Sequence, residues 1–518
     1  MKRFINIFSK ENSLRGASII LIVTLTISNL LGLIRDRILT HYIATPNLDI
    51  YYAAFRIPDL IFNFLVLGAI TSAFIPIFSD YLTKGDEEEG YRVTNILINL
   101  ALVMMIVSAV ALYFLMPYLM PLVVPKFDAV RMALTVRYAR LIMLTPIFFS
   151  VSYIVGAVLN CHKRFLAYSI APIFYNLAII SSAAFLAPRY GVIGVIYGVV
   201  AGAFLHMLVQ VIPAIRLGFR WQPIISITEK PIRRIIRLMV PRTISMGSNQ
   251  IMLIVYTAIA SMLAAGSISA FNLATNIQTM PVVVLGTSFA TAIFPTLAKK
   301  ISANEPKEFS YYLNHTLRIM GYFLIPSTVF FILMRAQIIR IILGSGKFTW
   351  EDTRTTALTL GFLSISILAA GVVPLLSKAF YALKNTRTPM FISVATTIVS
   401  VVIGYPLARA MDVSGLALAF SIGSYFNMIV LIHYLRKRYP GILNRSLIVS
   451  YTKTLLSSFV MGLMIYLSMH LAANFVDMTR FWGIFQQTLF AGLTGIAAYL
   501  IMGYITGQEE FSSIMKRR

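Results

Sequence analysis

The sequence predicts an all-α membrane protein of about fourteen transmembrane helices, built as two pseudo-symmetric six-helix lobes plus two extra C-terminal helices. Three observations carry this prediction. The 518 residues are 58% hydrophobic and only 12% charged, where a soluble chain would carry about 25% charged residues. The apolar residues fall in blocks of about 18 or more, the length a helix needs to cross a hydrocarbon core. The two halves of the chain also repeat each other at a nearly constant offset. The blocks lack the alternation of barrel strands, and a helix satisfies its own backbone groups in lipid.

In order, the expected spans are 16–34, 50–78, 93–118, 133–159, 166–187, 192–215, 235–263, 269–297, 312–334, 356–383, 390–408, 414–435, 448–472 and 482–506. The first follows a short basic stretch and is too long for the h-region of a signal peptide, so it is expected to be retained. Polar residues interrupt the second, seventh, eighth and tenth.

An even count puts both termini on one side. Lys and Arg concentrate at the N-terminus, after the sixth span (Arg216 to Arg237), after the twelfth (Arg436 to Arg445) and in the tail Lys516-Arg517-Arg518. The alternate loops are sparser, with the loop after the ninth span as the exception. Both termini are therefore expected in the cytoplasm of a bacterium. The net charge of +25 is read as loop charge facing anionic lipid, not as a nucleic-acid surface.

The repeat is visible in three places. Gly194-VIYGVVA-Gly202 and Gly415-LALAFSI-Gly423 are 221 positions apart, Ala73-FIPIFS and Ala292-IFPTLA 219, and Ala157-VLNCHKR and Ala379-FYALKNTR 222. Six spans per half give both halves the same orientation, hence an axis along the membrane normal and a central cavity between lobes that rock to give alternating access. The expected domains are 1–215 (first lobe), 216–234 (basic linker), 235–440 (second lobe) and 441–518 (last two helices and basic tail).

An ionisable residue inside a span is costly and marks function by default. The first span ends in Arg35, Asp36 and Arg37, with Gly32 permitting close approach. The second carries Asp49, then Arg56, Pro58, Asp59 and Asn63. Arg56 and Asp59 are three apart and share a helix face, and Pro58 between them frees a backbone carbonyl and should kink the helix. The seventh holds Arg242, Asn249 and Gln250. Arg242 has no acidic neighbour in sequence and is the leading candidate for an anionic ligand. The eighth holds Asn272, Thr275, Asn276, Gln278 and Thr279. Lys378 in the tenth is read as snorkelling, and Arg137 and Arg140 as rim residues. The predicted central-cavity set is Arg35, Asp49, Arg56, Asp59, Arg242, Asn249, Gln250 and Asn276.

Other chemistries are poorly supported. Gly344-SGKFT lacks the spacing of a phosphate loop, with Phe348 where a hydroxyl would hold magnesium. Cys161-His162 has no partner pair for a metal. No nucleophile and base are readable. A transporter without cofactor or metal is expected, driven by a coupling ion or the membrane potential.

Leu31-GLIRD, Asp49-IYYAAFRIPD, Ala73-FIP, Ala157-VLN, Gly346-KFT and Phe380-YALKNTRTP occur in this order. Together they resemble the MurJ (MviN) family of lipid II flippases in the MOP superfamily. The resemblance implies movement of undecaprenyl-pyrophosphate-linked disaccharide-pentapeptide from the inner to the outer leaflet of the cytoplasmic membrane for peptidoglycan synthesis. It implies a cationic cavity for the pyrophosphate, a lipid-tail groove made by the last two helices, and cell-wall synthesis enzymes as partners. Arg35 matches a family arginine and Asp49 a family acid. The family's other arginine positions hold Asn29, Phe62 and Asn276 here, which leaves Arg56 and Arg242 as replacement cations. The alternatives are a flippase for another undecaprenyl-pyrophosphate-linked oligosaccharide and a non-transporting cell-envelope scaffold.

Overall fold

A computed structural model describes residues 14–64 and 74–511, with the backbone alone at 14–22 and at several positions near Arg242. Among the described residues the chain is helical without strands. It folds as two compact units, Met1–Ile268 and Ser269–Arg518.

The first unit contains α1 (Leu14–Tyr42), α2 (Thr45–Ala54), α3 (Arg56–Phe62), α4 (Ile75–Lys84), α5 (Glu87–Val123), α6 (Ala129–Ile142), α7 (Leu144–Cys161), α8 (Phe165–Phe185), α9 (Val192–Arg216) and α10 (Lys230–Ser261). The second contains α11 (Ser267–Pro281, beginning at the boundary), α12 (Ser288–Ser302), α13 (Pro306–Leu333), α14 (Arg335–Leu343), α15 (Trp350–Ser364), α16 (Ile367–Ala382), α17 (Arg387–Arg438), α18 (Arg445–Ala473) and α19 (Phe481–Ile505). Each has its own apolar core: Phe74, Ile96, Met105 and Leu159 lie in the first, and Leu297, Leu313, Leu375 and Leu435 in the second.

Prolines explain several breaks. The expected span 50–78 is not one helix. Pro58 has no N–H for the Ala54 carbonyl, and the chain breaks at Phe55, after which the Asp59 N–H reaches the Phe55 carbonyl at 2.9 Å. Pro146 does the same to Ile142, where α6 ends and α7 begins. The span expected over 356–383 is α15 and α16, bent by 45°. The spans 390–408 and 414–435 run together as α17, interrupted by non-helical Met411 and Asp412, the latter at φ 53°.

Nine described helices are long and apolar enough to cross a membrane, or ten if the bent pair is one span. That criterion does not reach the expected fourteen. It takes α17 as one helix across its break, and residues 65–73 of the second expected span lie outside the described set.

The repeat is matched in its packing. Gly194 packs on the backbone of Leu186, and Gly415, 221 positions on, packs on the backbone of Leu407. Gly202 meets Tyr175, and Gly423 meets Thr396, again 221 apart. A Cβ at either member of the first pair would collide with backbone, so these helices approach through glycine as helices packed in membranes do. By sequence repeat α10 opens the second half, yet it packs within the first unit, against α3 and α5.

Candidate functional site

The first unit gathers most of the predicted ionisable residues. Asp36 is 1% exposed and takes two hydrogen bonds from Arg35, at 2.9 and 3.1 Å. Arg35 also donates to the Asn176 side-chain oxygen on α8 at 3.2 Å. Its charge is thus offset by its sequence neighbour Asp36, which the predicted cavity set did not include.

Arg56 opens α3 and is buried. Its Nε donates to the Thr257 hydroxyl of α10 at 2.7 Å. Among the described residues no ion pair within 4 Å joins it to Asp59, although the guanidinium and the carboxylate interact electrostatically. Phe55 keeps right-handed helical dihedrals (φ −77°, ψ −21°), so the interruption is a missing hydrogen bond within one helical course, from which Arg56 reaches α10. Asp59 is partly exposed beside it.

Tyr52 links these groups. It lies in electrostatic reach of Arg35, Asp36 and Arg56. Its hydroxyl is buried and has no hydrogen-bond partner among the described residues. An unsatisfied buried hydroxyl is costly and calls for a partner such as an ordered water or a bound group. The sequence held this residue in Asp49-IYYAAFRIPD, where nothing singles it out. Tyr51, Tyr153 and Tyr175 extend the group, each interacting electrostatically with Asp59.

Asp49 is 2% exposed and works differently. It accepts from the Gly266 backbone N–H at 2.7 Å and faces Arg131 of α6 at 3.4 Å. Arg131 in turn lies over the Phe127 ring at 4.0 Å. Gly266 has φ +96°, a left-handed conformation that suits glycine. Asp49 therefore ties α2 to α6 and to the turn after α10.

The Arg242 side chain lies outside the described residues, as do residues 1–13, 65–73 and 512–518, which include the basic N-terminus and the Lys516-Arg517-Arg518 tail. Asn249 is exposed on α10 and Gln250 half-buried next to it.

In the second unit the polar run of α11 is neutral. Asn276 is half-buried. Thr275 and Thr279 bond back to their own helix at the Phe271 and Thr275 carbonyls, both at 2.7 Å. Buried Gln278 donates to the Ser366 hydroxyl at 3.1 Å. Lys378 donates to the Thr291 hydroxyl of α12 at 2.5 Å, a specific contact that the snorkelling expectation missed. Thr349 of the Gly346-KFT stretch caps α15, with Asp352 returning the bond to its backbone N–H at 2.8 Å, so this motif is structural.

Comparison with known proteins gives one consistent result. Residues 41–486 match the family model described as Lipid II flippase MurJ. The lipid II flippase MurJ of Burkholderia cenocepacia is 27% identical over 432 residues, covering 80% of this chain and 82% of that protein. A probable lipid II flippase MurJ of Rickettsia prowazekii is 26% identical over 458 residues, 88% of this chain and 90% of the relative. Among solved structures, a lipid II flippase MurJ in an inward closed conformation aligns with TM-score 0.78 and 25% identity over 94% of this chain and 98% of that one. An inward-facing multidrug-resistance MATE transporter of the MOP superfamily aligns with TM-score 0.71 at 14% identity, over 82% and 98% of the two chains.

Proposed function

This chain belongs to the Lipid II flippase MurJ family, and from that premise we propose that it carries lipid II across the bacterial cytoplasmic membrane by alternating access. The substrate has a polar pyrophosphate-sugar head that hydrocarbon excludes and a tail that remains in lipid. The protein must therefore offer the head a polar route without offering one to the tail. It is a transporter and forms no covalent intermediate.

The observation that supports the site is the group around Tyr52. A buried hydroxyl without a partner among the described residues lies within electrostatic reach of two guanidinium groups. An entering pyrophosphate oxygen accepts from the Tyr52 hydroxyl. Arg56 adds a charge-assisted bond, its orientation set by Thr257. Arg35 exchanges part of its interaction with Asp36 for a second phosphate oxygen, because guanidinium carries five donors in a fork suited to oxyanions. Asp59, beside Arg56, restores charge balance when the head leaves. Arg242, Asn249, Gln250 and Asn276 belong to the same proposal as residues that contact the head. Asp49 holds the frame.

Several further points belong to this reading. Charge in the loops supports cytoplasmic termini. The energy source is an ion gradient or the membrane potential, with no bound cofactor. Cell-wall synthesis enzymes are the proposed consumers of the exported head.

The test is a lipid II translocation assay in vesicles with the purified full chain. Wild type is expected to move lipid II to the far leaflet, and Arg56→Ala with unchanged helicity to lose most of that activity. A wild-type chain that leaves lipid II in place under an imposed potential and ion gradient contradicts the assignment.

A further inference from the structure

The two units contain one clamp built twice. In the first, the buried Asn95 of α5 donates to the Arg220 carbonyl at 2.9 Å and accepts from the Gln222 N–H at 3.1 Å. In the second, the buried Asn314 of α13 donates to the Gly441 carbonyl at 2.8 Å and accepts from the Leu443 N–H at 3.1 Å. The asparagines are 219 positions apart and the loop partners 221, the same offsets found in the sequence repeat. Each clamp fastens the loop that follows the last helix of its six-helix repeat.

The surroundings of the two clamps differ in volume and in sign. In the first unit Tyr91 fills the space one turn before Asn95. Its hydroxyl donates to the Leu217 carbonyl at 3.0 Å, and its ring meets Phe219 at 5.9 Å. The corresponding residues of the second unit are Ser310 and Pro440. These smaller side chains leave a cavity of about 390 Å³, lined among others by Lys307, Ser310, Tyr311, Arg438, Tyr439 and Asn444. Lys307 stands where the first unit has Glu88, and Arg438 where it has Leu217. No acidic residue lines the cavity among the described residues. The nearest acids along α13, Glu305 and Glu308, are held by Lys300 at 2.7 and 3.6 Å.

Replacement of an aromatic plug by a serine opens a hollow, and replacement of an acid and a leucine by Lys307 and Arg438, although Tyr311 and Gly441 stand where the first unit has Arg92 and Arg220, leaves its charged lining wholly positive. The helices α13 and α18 begin at its wall and α17 ends there, so two positive helix ends stand against one negative end. The loop is on the membrane face that charge counting assigns to the cytoplasm, and it is flanked by Arg436, Lys437 and Arg445. Such basic hollows at a leaflet surface suit anionic headgroups. We propose that this cavity binds a phosphate ester, with Lys307 and Arg438 as the cationic partners and the tyrosine hydroxyls as neutral donors. Its source is either the headgroup of an anionic phospholipid in the adjoining leaflet or a soluble phosphate. This site is separate from the Tyr52 group and stands whether or not that group handles substrate.

The experiment uses the purified full chain in detergent and measures binding of three probes: short-chain phosphatidylglycerol, short-chain phosphatidylcholine and inorganic phosphate. Saturable phosphatidylglycerol binding is expected. Lys307→Gln combined with Arg438→Gln, both at exposed positions, should weaken it about tenfold or more, the scale of losing charge-assisted phosphate contacts. Ser310→Tyr, which installs the plug of the first unit and leaves every charge in place, should abolish it. Thermal unfolding of each variant at the parent temperature shows that the fold is intact. Competition by inorganic phosphate at similar concentration supports the site and assigns a soluble source, whereas its failure to compete supports a lipid source. Equal binding of phosphatidylcholine, or phosphatidylglycerol affinity unchanged in both variants, overturns the proposal.

Discussion

Helix α3 and its repeat counterpart in α11 carry polar residues at the same positions but of different kinds. Arg56 and Asp59 of the first correspond to Thr275 and Gln278 of the second, 219 positions on. The neutral pair is occupied with structure: Thr275 bonds to its own helix and Gln278 to Ser366. The charged pair sits beside a hydroxyl that no described neighbour satisfies. Duplication preserved the packing, down to paired glycine contacts and paired asparagine clamps, while the chemistry diverged. Polar residues that bond to their own helix stabilise a span at modest energy. A buried guanidinium near a buried hydroxyl that lacks a hydrogen-bond partner among the described residues is costly to keep, and the proposed pyrophosphate head would offset that cost.

Four sets of variants probe this contrast, in order of expected size. Arg56→Ala should lower lipid II flipping in vesicles by about 10- to 100-fold, the range set by one charged hydrogen bond to phosphate. Thr275→Ala in the second unit should leave flipping within about threefold, since it removes only a bond to its own helix. Equal losses would erase the distinction between the units.

Asp49→Asn should destabilise the protein by about 1–3 kcal/mol, because the Asp49 carboxylate is buried between Arg131 and the Gly266 N–H. A lowered thermal midpoint, with flipping normal below it, would mark Asp49 as part of the frame. Loss of flipping at unchanged stability would move it into the site.

Tyr52→Phe should separate function from stability. Removing an unsatisfied buried hydroxyl is expected to stabilise the fold by about 1 kcal/mol, while flipping falls a few-fold. Calorimetry and the vesicle assay on the same sample check both signs. A drop in both would mean that the hydroxyl serves the fold.

The smallest effect concerns the segment after α19. Burial works to raise the Glu510 pKa, but hydrogen bonds from Arg318, its own backbone N–H and Ser450 hold it below the usual carboxylate value. A depressed folded pKa stabilises docking of the Gly507–Glu510 segment above the ordinary carboxylate pKa, and that contribution is lost as pH falls through the depressed value. Protection of the amides around Glu510, taken relative to the intrinsic exchange rate at each pH, should therefore be high at neutral pH and fall on acidification. Glu510→Gln should show low protection throughout and little pH response.

Much of the fold was legible because lipid imposes long apolar blocks, and repeated glycines mark helix contacts that tolerate no side chain. Break positions were less legible. Pro58 announced an interruption, but only the structure places it at Phe55, one residue before Arg56, and gives Arg56 its bond to Thr257. For the site, intramembrane charge singled out residues but said little about their partners. Partners come from distant helices: Asn176 for Arg35, Thr257 for Arg56, Arg131 for Asp49 and Thr291 for Lys378. Spacing along one helix suggested Arg56 with Asp59 instead. Tyr52 was passed over because an aromatic residue near a helix end ordinarily serves packing, and an unsatisfied hydroxyl is a property of three-dimensional surroundings alone. The matched clamps were not legible because Asn95 and Asn314 sit among other polar residues, Thr94 and Asn99 for the first and His315 and Thr316 for the second, with nothing in the pattern to set them apart.

Binding of the pyrophosphate head by the Tyr52 group of the first unit can be read from the affinity of the purified full chain for lipid II. It is measured in detergent at two ionic strengths for the parent, Arg35→Gln with Arg56→Gln, and Tyr52→Phe. Affinity lower by about tenfold or more is expected in the double variant, with a smaller loss in Tyr52→Phe and a salt dependence that is present in the parent and weak in the double variant. Parental affinity and salt dependence in a folded double variant would contradict it.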